Sequence, residues 1–192
     1  TDSFSERREA PVCALNYIFS ENILYRLNSG VKVKLYDRVL AISCDKDTLY
    51  YLRSHEDRWI AGFFRSSLNT RTEFEIPGRF GKFYKFEAYN NIFYFLSLPL
   101  KGVNSEDIPV FTRFNPDDMN LQSIDGVIDF RIIDGRSIIL KNNTVDYNGS
   151  VIPLTLSGKP GIHEIIDSRI AVISSSEGTE LIDLIAEKSI YQ

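Results

Sequence analysis

The sequence predicts an all-β fold: a unit of four short antiparallel strands, used about five times. Three observations carry this. Aromatic residues make up 12% of the 192 positions, with 13 Phe and 10 Tyr, a composition that favours strands over helices. The apolar runs are short, alternate with period two, and are broken every few residues by Asn, Asp or Gly. One pattern also recurs. Residues 81–97, GKFYKFEAYNNIFYFLS, read as a strand with one greasy face, an Asn-Asn turn, and a strand apolar on both faces. The same plan returns as RVLAISCDKDTLYYLRS, GVIDFRIIDGRSIILKN and GIHEIIDSRIAVISS.

In chain order, residues 1–11 (TDSFSERREAP) are polar, charged and closed by proline, and read as an N-terminal tail. The first cycle, 12–37, holds three clear strands, at 12–19, 23–27 and 31–36. The second, 38–78, turns at Asp45-Lys46-Asp47 and carries a polar stretch at 54–58 before its third strand. The third cycle, 79–125, contains the longest irregular segment, 99–109, and a turn at Asn115-Pro116-Asp117-Asp118. The fourth, 126–158, is compact, and its Asn148-Gly149 pair is the strongest hairpin signal in the chain. The fifth, 159–192, ends in a fourth strand at 188–191. The shared apolar columns predict that Phe86, Ile92, Tyr94, Phe130, Ile138, Ile170 and Val172 are buried between neighbouring sheets.

Four short antiparallel strands at a period of roughly 40 residues are the mark of a propeller blade. One such sheet cannot cover both of its faces, and stacking sheets side by side does. Over residues 12–192 the chain resembles β-propeller proteins in this architectural sense. It has no Trp-Asp dipeptide, kelch Gly-Gly doublet or Asp-box, and its strands look like the irregular blades of TolB-like, prolyl-oligopeptidase-type and nucleoporin-like propellers. The expected fold is therefore an all-β propeller, or propeller portion, of about five four-stranded blades. An open β-sandwich or a stack of hairpins is the rival architecture. With three strands in the first cycle and four in the last, the first blade is expected to borrow an edge, or else an exposed sheet edge pairs with another chain.

Bulk properties exclude several function classes. Apolar residues are 43% of the chain, but none of the runs approaches the ~20 residues of a membrane helix, so no membrane insertion is expected. The chain opens on Thr, which reads as processed or trimmed. Cys13 and Cys44 fit either one bridge or two buried thiols, which leaves the compartment open. The net charge of −4 is uneven, with the excess of acid in the second half; two faces of different potential and a chance distribution of charged loops both account for it.

No constellation for chemistry stands out. There is no Gly-x-Ser-x-Gly elbow, GxGxxG or P-loop. Counting back from the turn puts His163 opposite Phe130, as a partly buried histidine. His55 stands beside Glu56 and Asp57 without the second histidine of a zinc site. The Asn115–Asn120 oxygens lack the glycine and glutamate of a calcium loop and read as an Asx turn. Sugar-cleaving five-bladed propellers keep carboxylates on their inner strands, where this chain has Glu87, Asp129 and Glu164. Lys85 and Arg131 occupy the same columns, so ion pairing between neighbouring blades is the plainer expectation. A basic band (Arg65, Arg71, Arg79, Lys82, Lys85) is interleaved with aromatics, as nucleic acid would require. Glu73 and Glu75 interrupt it, and the acidic whole argues against that partner. Asn142-Asn143-Thr144 and Asn148-Gly149-Ser150 match the glycosylation sequon and are also ordinary hairpin turns.

The functional expectation is a non-catalytic scaffold for protein–protein interaction, as a subunit or as a domain of a larger chain. The alternative is an accessory or gating propeller of a hydrolase, or a five-bladed sugar-active enzyme. No catalytic residue, metal or cofactor is assigned. Binding is expected in the two stretches longer than the local turns. These are 54–59, with His55, Arg58 and the only Trp, Trp59, and 99–109, with Val103 and Ile108.

Overall fold

A computed structural model describes residues 17–191, apart from 29, 46, 66, 67, 69, 101–107 and 157. The described residues form nineteen strands and no helix, arranged as five antiparallel sheets, each a simple meander in chain order. This is the all-β, blade-by-blade pattern that the repeat predicts. The chain divides into two compact units, Thr1–Glu75 and Ile76–Gln192. The tail at 1–11 and Cys13 lie outside the described residues.

The first unit holds two sheets. One consists of β1 (Tyr17–Ser20), β2 (Ile23–Asn28) and β3 (Val31–Tyr36). The other consists of β4 (Val39–Asp45), β5 (Thr48–His55), β6 (Arg58–Arg65) and β7 (Thr70–Glu75). Their shared core is Tyr17, Leu24, Tyr36, Val39, Leu49 and Tyr51. In β5 the four residues Leu49, Tyr50, Tyr51 and Leu52 are buried in succession, so the strand is covered on both faces. The Tyr51 ring lies across the paired β6 backbone at Gly62, where a Cβ would meet the phenol oxygen at 2.4 Å. Any side chain there would displace the ring.

The second unit holds three sheets: β8 (Phe80–Tyr89), β9 (Ile92–Pro99), β10 (Val110–Asn115) and β11 (Asn120–Asp125); β12 (Asp129–Ile133), β13 (Arg136–Lys141), β14 (Thr144–Tyr147) and β15 (Ser150–Pro153); β16 (Gly161–Ile166), β17 (Ile170–Ser175), β18 (Gly178–Asp183) and β19 (Lys188–Tyr191). Asn90-Asn91 and Asn148-Gly149 both take positive φ at both turn positions, the geometry that lets a two-residue turn follow the strand twist. Asp117 N–H donates to Asn115 Oδ1 at 3.2 Å and Asn120 N–H to Asp118 Oδ1 at 3.0 Å, so this stretch is the Asx turn expected. One core, with Tyr94, Leu96, Phe111, Val127, Phe130 and Ile139, lies between the third and fourth sheets. Another, built on Ile138, Leu140, Tyr147, Ile162, Ala171 and Ile173, lies between the fourth and fifth.

Four expectations are corrected. Residues 54–59 are not a long loop: β5 and β6 stay paired out to His55 and Arg58, and only Glu56 and Asp57 form the turn. Charged side chains there mark a solvated hairpin tip. His163 is exposed, because β16 carries a bulge between Ile162 and Glu164. The extra residue moves Ile162 into the place of Phe130. Of the seven predicted core residues, Phe86, Tyr94, Phe130 and Ile138 are buried, whereas Ile92, Ile170 and Val172 are only half-buried. Cys44 is a free, exposed cysteine and not a buried thiol.

Candidate functional site

The hairpin tip of β5 and β6 presents four consecutive exposed residues, His55, Glu56, Asp57 and Arg58. Cross-strand pairing sets His55 beside Arg58 and Ser54 beside Trp59. Glu56 has a φ of 53°, which the two-residue turn imposes on it. Arg58 forms an ion pair with Glu75 at the end of β7, and both side chains are more than half exposed. A pair that wet contributes little to stability, so Arg58 can exchange it for another anion at small cost. Trp59 is 6% exposed. Of the two expected anchors, then, Arg58 is at the surface, and Trp59 forms the buried base of the tip. Ile108, 40% exposed, lies two residues before β10 in the second unit. Val103 lies outside the described residues.

A polar hub in the first unit has no counterpart in the sequence expectations. Glu73 on β7 takes three donors. The Tyr51 hydroxyl and Arg53 Nε reach Oε1 at 2.9 and 3.0 Å, and Arg71 reaches Oε2 at 2.7 Å. The Arg53 and Arg71 guanidinium groups also lie over the Tyr36 ring, 4.8 and 4.6 Å from its centroid. Burial alone would raise the Glu73 carboxyl, but its bonds to Arg71, Arg53 and Tyr51 outweigh that and hold it at about 2. Burial, reinforced by the neighbouring Tyr36 hydroxyl, pushes the Tyr51 phenol far above the ordinary range. It stays a donor, and the hub as a whole ties three strands of two sheets together.

The inner-strand carboxylates of the second unit are also engaged. Lys85 Nζ on β8 donates to Asp129 Oδ1 and to the Phe130 carbonyl on β12, both at 2.6 Å. Arg131 on β12 donates back to Glu87 Oε1 on β8 at 3.2 Å. Equivalent positions on adjacent sheets thus carry opposite charges, the interblade pairing expected from the columns. Backbone amides take the remaining oxygens: Ile132 N–H donates to Glu87 Oε2 at 2.7 Å, and Ile162 N–H on β16 to Asp129 Oδ2 at 3.0 Å. Burial raises the Glu87 carboxyl above its ordinary value in spite of Lys85 and Arg131. Glu164, the third carboxylate of the columns, is exposed on β16.

Elsewhere, Glu180 on β18 is fully buried. One of its oxygens accepts from the Thr155 N–H and hydroxyl at 3.0 and 3.2 Å, which fastens the chain after β15 to the fifth sheet. Among the described residues no group of three or more His, Cys, Asp or Glu is placed to hold a metal ion, and no helix is long and apolar enough to cross a membrane. Two cations of the basic band, Arg71 and Lys85, are committed to Glu73 and Asp129.

No protein-family model matches the chain, and no curated protein matches it. Among solved structures the chain is similar to the AfRom2 CNH domain, at 8% sequence identity and a TM-score of 0.39, over 86% of this chain and 74% of that one. A likeness this distant leaves function to be read from the chain's own residues.

Proposed function

We propose that this chain is a non-catalytic β-sheet scaffold that binds another protein, as a subunit or as a domain of a larger chain. Residues 12–192 are read as one propeller portion, with repeat units at 12–37, 38–78, 79–125, 126–158 and 159–192. The observation that carries the reading is how the inner-strand carboxylates are used. Both oxygens of Glu87 and both of Asp129 already accept hydrogen bonds from a cation or a backbone amide on a neighbouring strand. A general acid or base needs an oxygen within reach of substrate, and a group holding two sheets together cannot leave its partners without loosening them. Recognition then falls to exposed side chains on rigid supports. In the first unit the β5–β6 tip offers His55 and Arg58 on a hairpin seated on Trp59; in the second unit the candidates are Ile108, before β10, and Val103 of the 99–109 stretch.

The test is capture of partners from the source organism with wild type, a His55→Ala/Arg58→Ala double variant, and a chain with 103–108 replaced by a Gly-Ser linker. Trp59 is left intact, since removing it would disturb the core. Each variant should melt close to wild type, and one of them should lose a specific partner. Retention of every partner by both variants overturns the proposed surface. Hydrolysis of a glycoside by wild type, abolished in Glu87→Gln, overturns the non-catalytic reading.

A further inference from the structure

We propose that the edge of β3 turned away from β2 accepts an extended peptide strand whose residues alternate apolar and acidic; this deepens the scaffold reading and rests on it. Sheet order motivates it. In the other four sheets the third strand lies between two neighbours, whereas among the described residues β3 pairs with β2 alone. Its exposure agrees: the third strands β6, β10 and β14 have at most one exposed residue each and β18 has two, whereas the first four residues of β3 are all exposed, closer to the outer strand β11 with four exposed of six. Third in order, β3 is wetted like a fourth.

The side chains define what would pair there. Val31 and Val33 are 63% and 45% exposed and share one face of the strand. Lys32 and Lys34 occupy the other face, where Lys32 lies over the Tyr25 ring and Lys34 meets Asp37 at 3.1 Å. Lysines on an edge strand keep unwanted strands away. They also select a partner: an incoming strand with carboxylates on the lysine side gains cross-strand charge pairs while its apolar residues cover Val31 and Val33. Pairing β3 with β3 of a second copy would set lysines against lysines, so a second copy is the wrong occupant.

The probe is a blocked Val-Glu-Val-Glu-Val-Glu hexapeptide, compared with its Val-Lys counterpart and with a version N-methylated at alternate amides. Amide hydrogen exchange in the full chain is followed alongside binding at those of residues 31–34 whose N–H points away from β2, alternate residues along the strand. The acidic peptide should slow exchange at those amides, the basic one should bind roughly tenfold more weakly, and the N-methylated one should fail. A Lys32→Glu/Lys34→Glu variant should reverse the preference; if it does not fold, the three peptides on wild type still decide the matter. Equal protection by both peptides, no protection, or amides already slow before peptide is added overturns the proposal. A captured partner that the acidic peptide does not displace, but that Arg58→Ala releases, sinks the edge and leaves the scaffold reading standing.

Discussion

The fourth and fifth sheets share one plan and differ in how they are covered. In β13, Ile138, Ile139 and Leu140 are buried in succession. Ile139 faces the core shared with the third sheet, and Ile138 and Leu140 face the core shared with the fifth. In β17 burial alternates: Ala171 and Ile173 are inside, Ile170 and Val172 only half so. Register makes the substitution explicit. The apolar pairs Ile138–Tyr147 and Leu140–Val145 correspond to Val172–Leu181 and Ser174–Thr179. At the second place hydroxyls replace hydrocarbon, with their oxygens 3.1 Å apart. The first strands differ in the same sense. Asp129 is bonded to the sheets on either side, and Gly161 stands in its place on β16. The fourth sheet is written apolar on both faces, whereas the fifth is apolar toward the fourth and alternates with half-buried and hydroxyl positions on its other face.

The hardest blow to that comparison falls on the fourth sheet. Phe130 is fully buried and meets Phe111 edge-on at 4.9 Å. Phe130→Ala should cost roughly 3–5 kcal/mol in urea unfolding; a loss under about 1 kcal/mol would mean that the third and fourth sheets do not share this core. Next is the matched pair in the central strands. Ile138→Ala should cost about 2–4 kcal/mol and Val172→Ala about 1 kcal/mol or less, because Ile138 is fully buried and Val172 only half so. Equal costs would show the outer face of the fifth sheet to be covered after all. The charged positions give a smaller contrast. Asp129→Ala leaves the Ile162 amide without its acceptor and removes the carboxylate partner of Lys85, which keeps the Phe130 carbonyl, and should cost about 1–3 kcal/mol. Glu164→Ala, at an exposed position, should stay within about 0.5 kcal/mol of wild type.

The sequence was most legible where one residue's chemistry decides a local event. Asn and Gly at turns, alternation along single strands, and Lys85 and Arg131 standing in the columns of Glu87 and Asp129 could all be read without knowing distant contacts. Three things could not. The bulge at His163 is invisible to an alignment that counts residues back from the turn, because one inserted residue moves every earlier side chain to the opposite face. The tip at 54–59 reads as a loop because its side chains are charged, yet two backbones can stay paired under charged side chains. The Glu73 hub needs Tyr36 and Tyr51, on strands of two sheets, to meet a carboxylate on a third strand, and nothing local announces that meeting. At the proposed surface, Arg58 was legible as exposed, while Trp59, chosen because tryptophan anchors interfaces, went to the interior.

The smallest effects are in the pH dependence, where two carboxylates that both hold sheets together should pull in opposite directions. Glu73 falls from the ordinary value of 4.5 to about 2 in the folded chain, because burial is outweighed by its bonds to Arg71, Arg53 and Tyr51. The folded state therefore binds this proton less readily than the unfolded state does. The stability contributed by Glu73 is complete above 4.5 and is lost as pH falls through about 2. Glu87 is raised from 4.5, because burial outweighs Lys85, the Ile132 amide and Arg131. Its folded state binds the proton more readily, so its contribution is greatest in acid and declines as pH rises from 4.5 through the raised value. Urea unfolding of wild type, Glu73→Gln and Glu87→Gln across this range separates the two. Glu73→Gln should flatten the acid limb of the wild-type profile, and Glu87→Gln should flatten the decline above 4.5. If the two variants shift the profile in the same direction, the balance of burial against cationic hydrogen bonds is misassigned at one of the two sites. The Arg53→Lys variant then tells which: a lysine has no group at the place of Nε to donate to Glu73 Oε1, so it should raise the acid midpoint only if the Glu73 hub is as described.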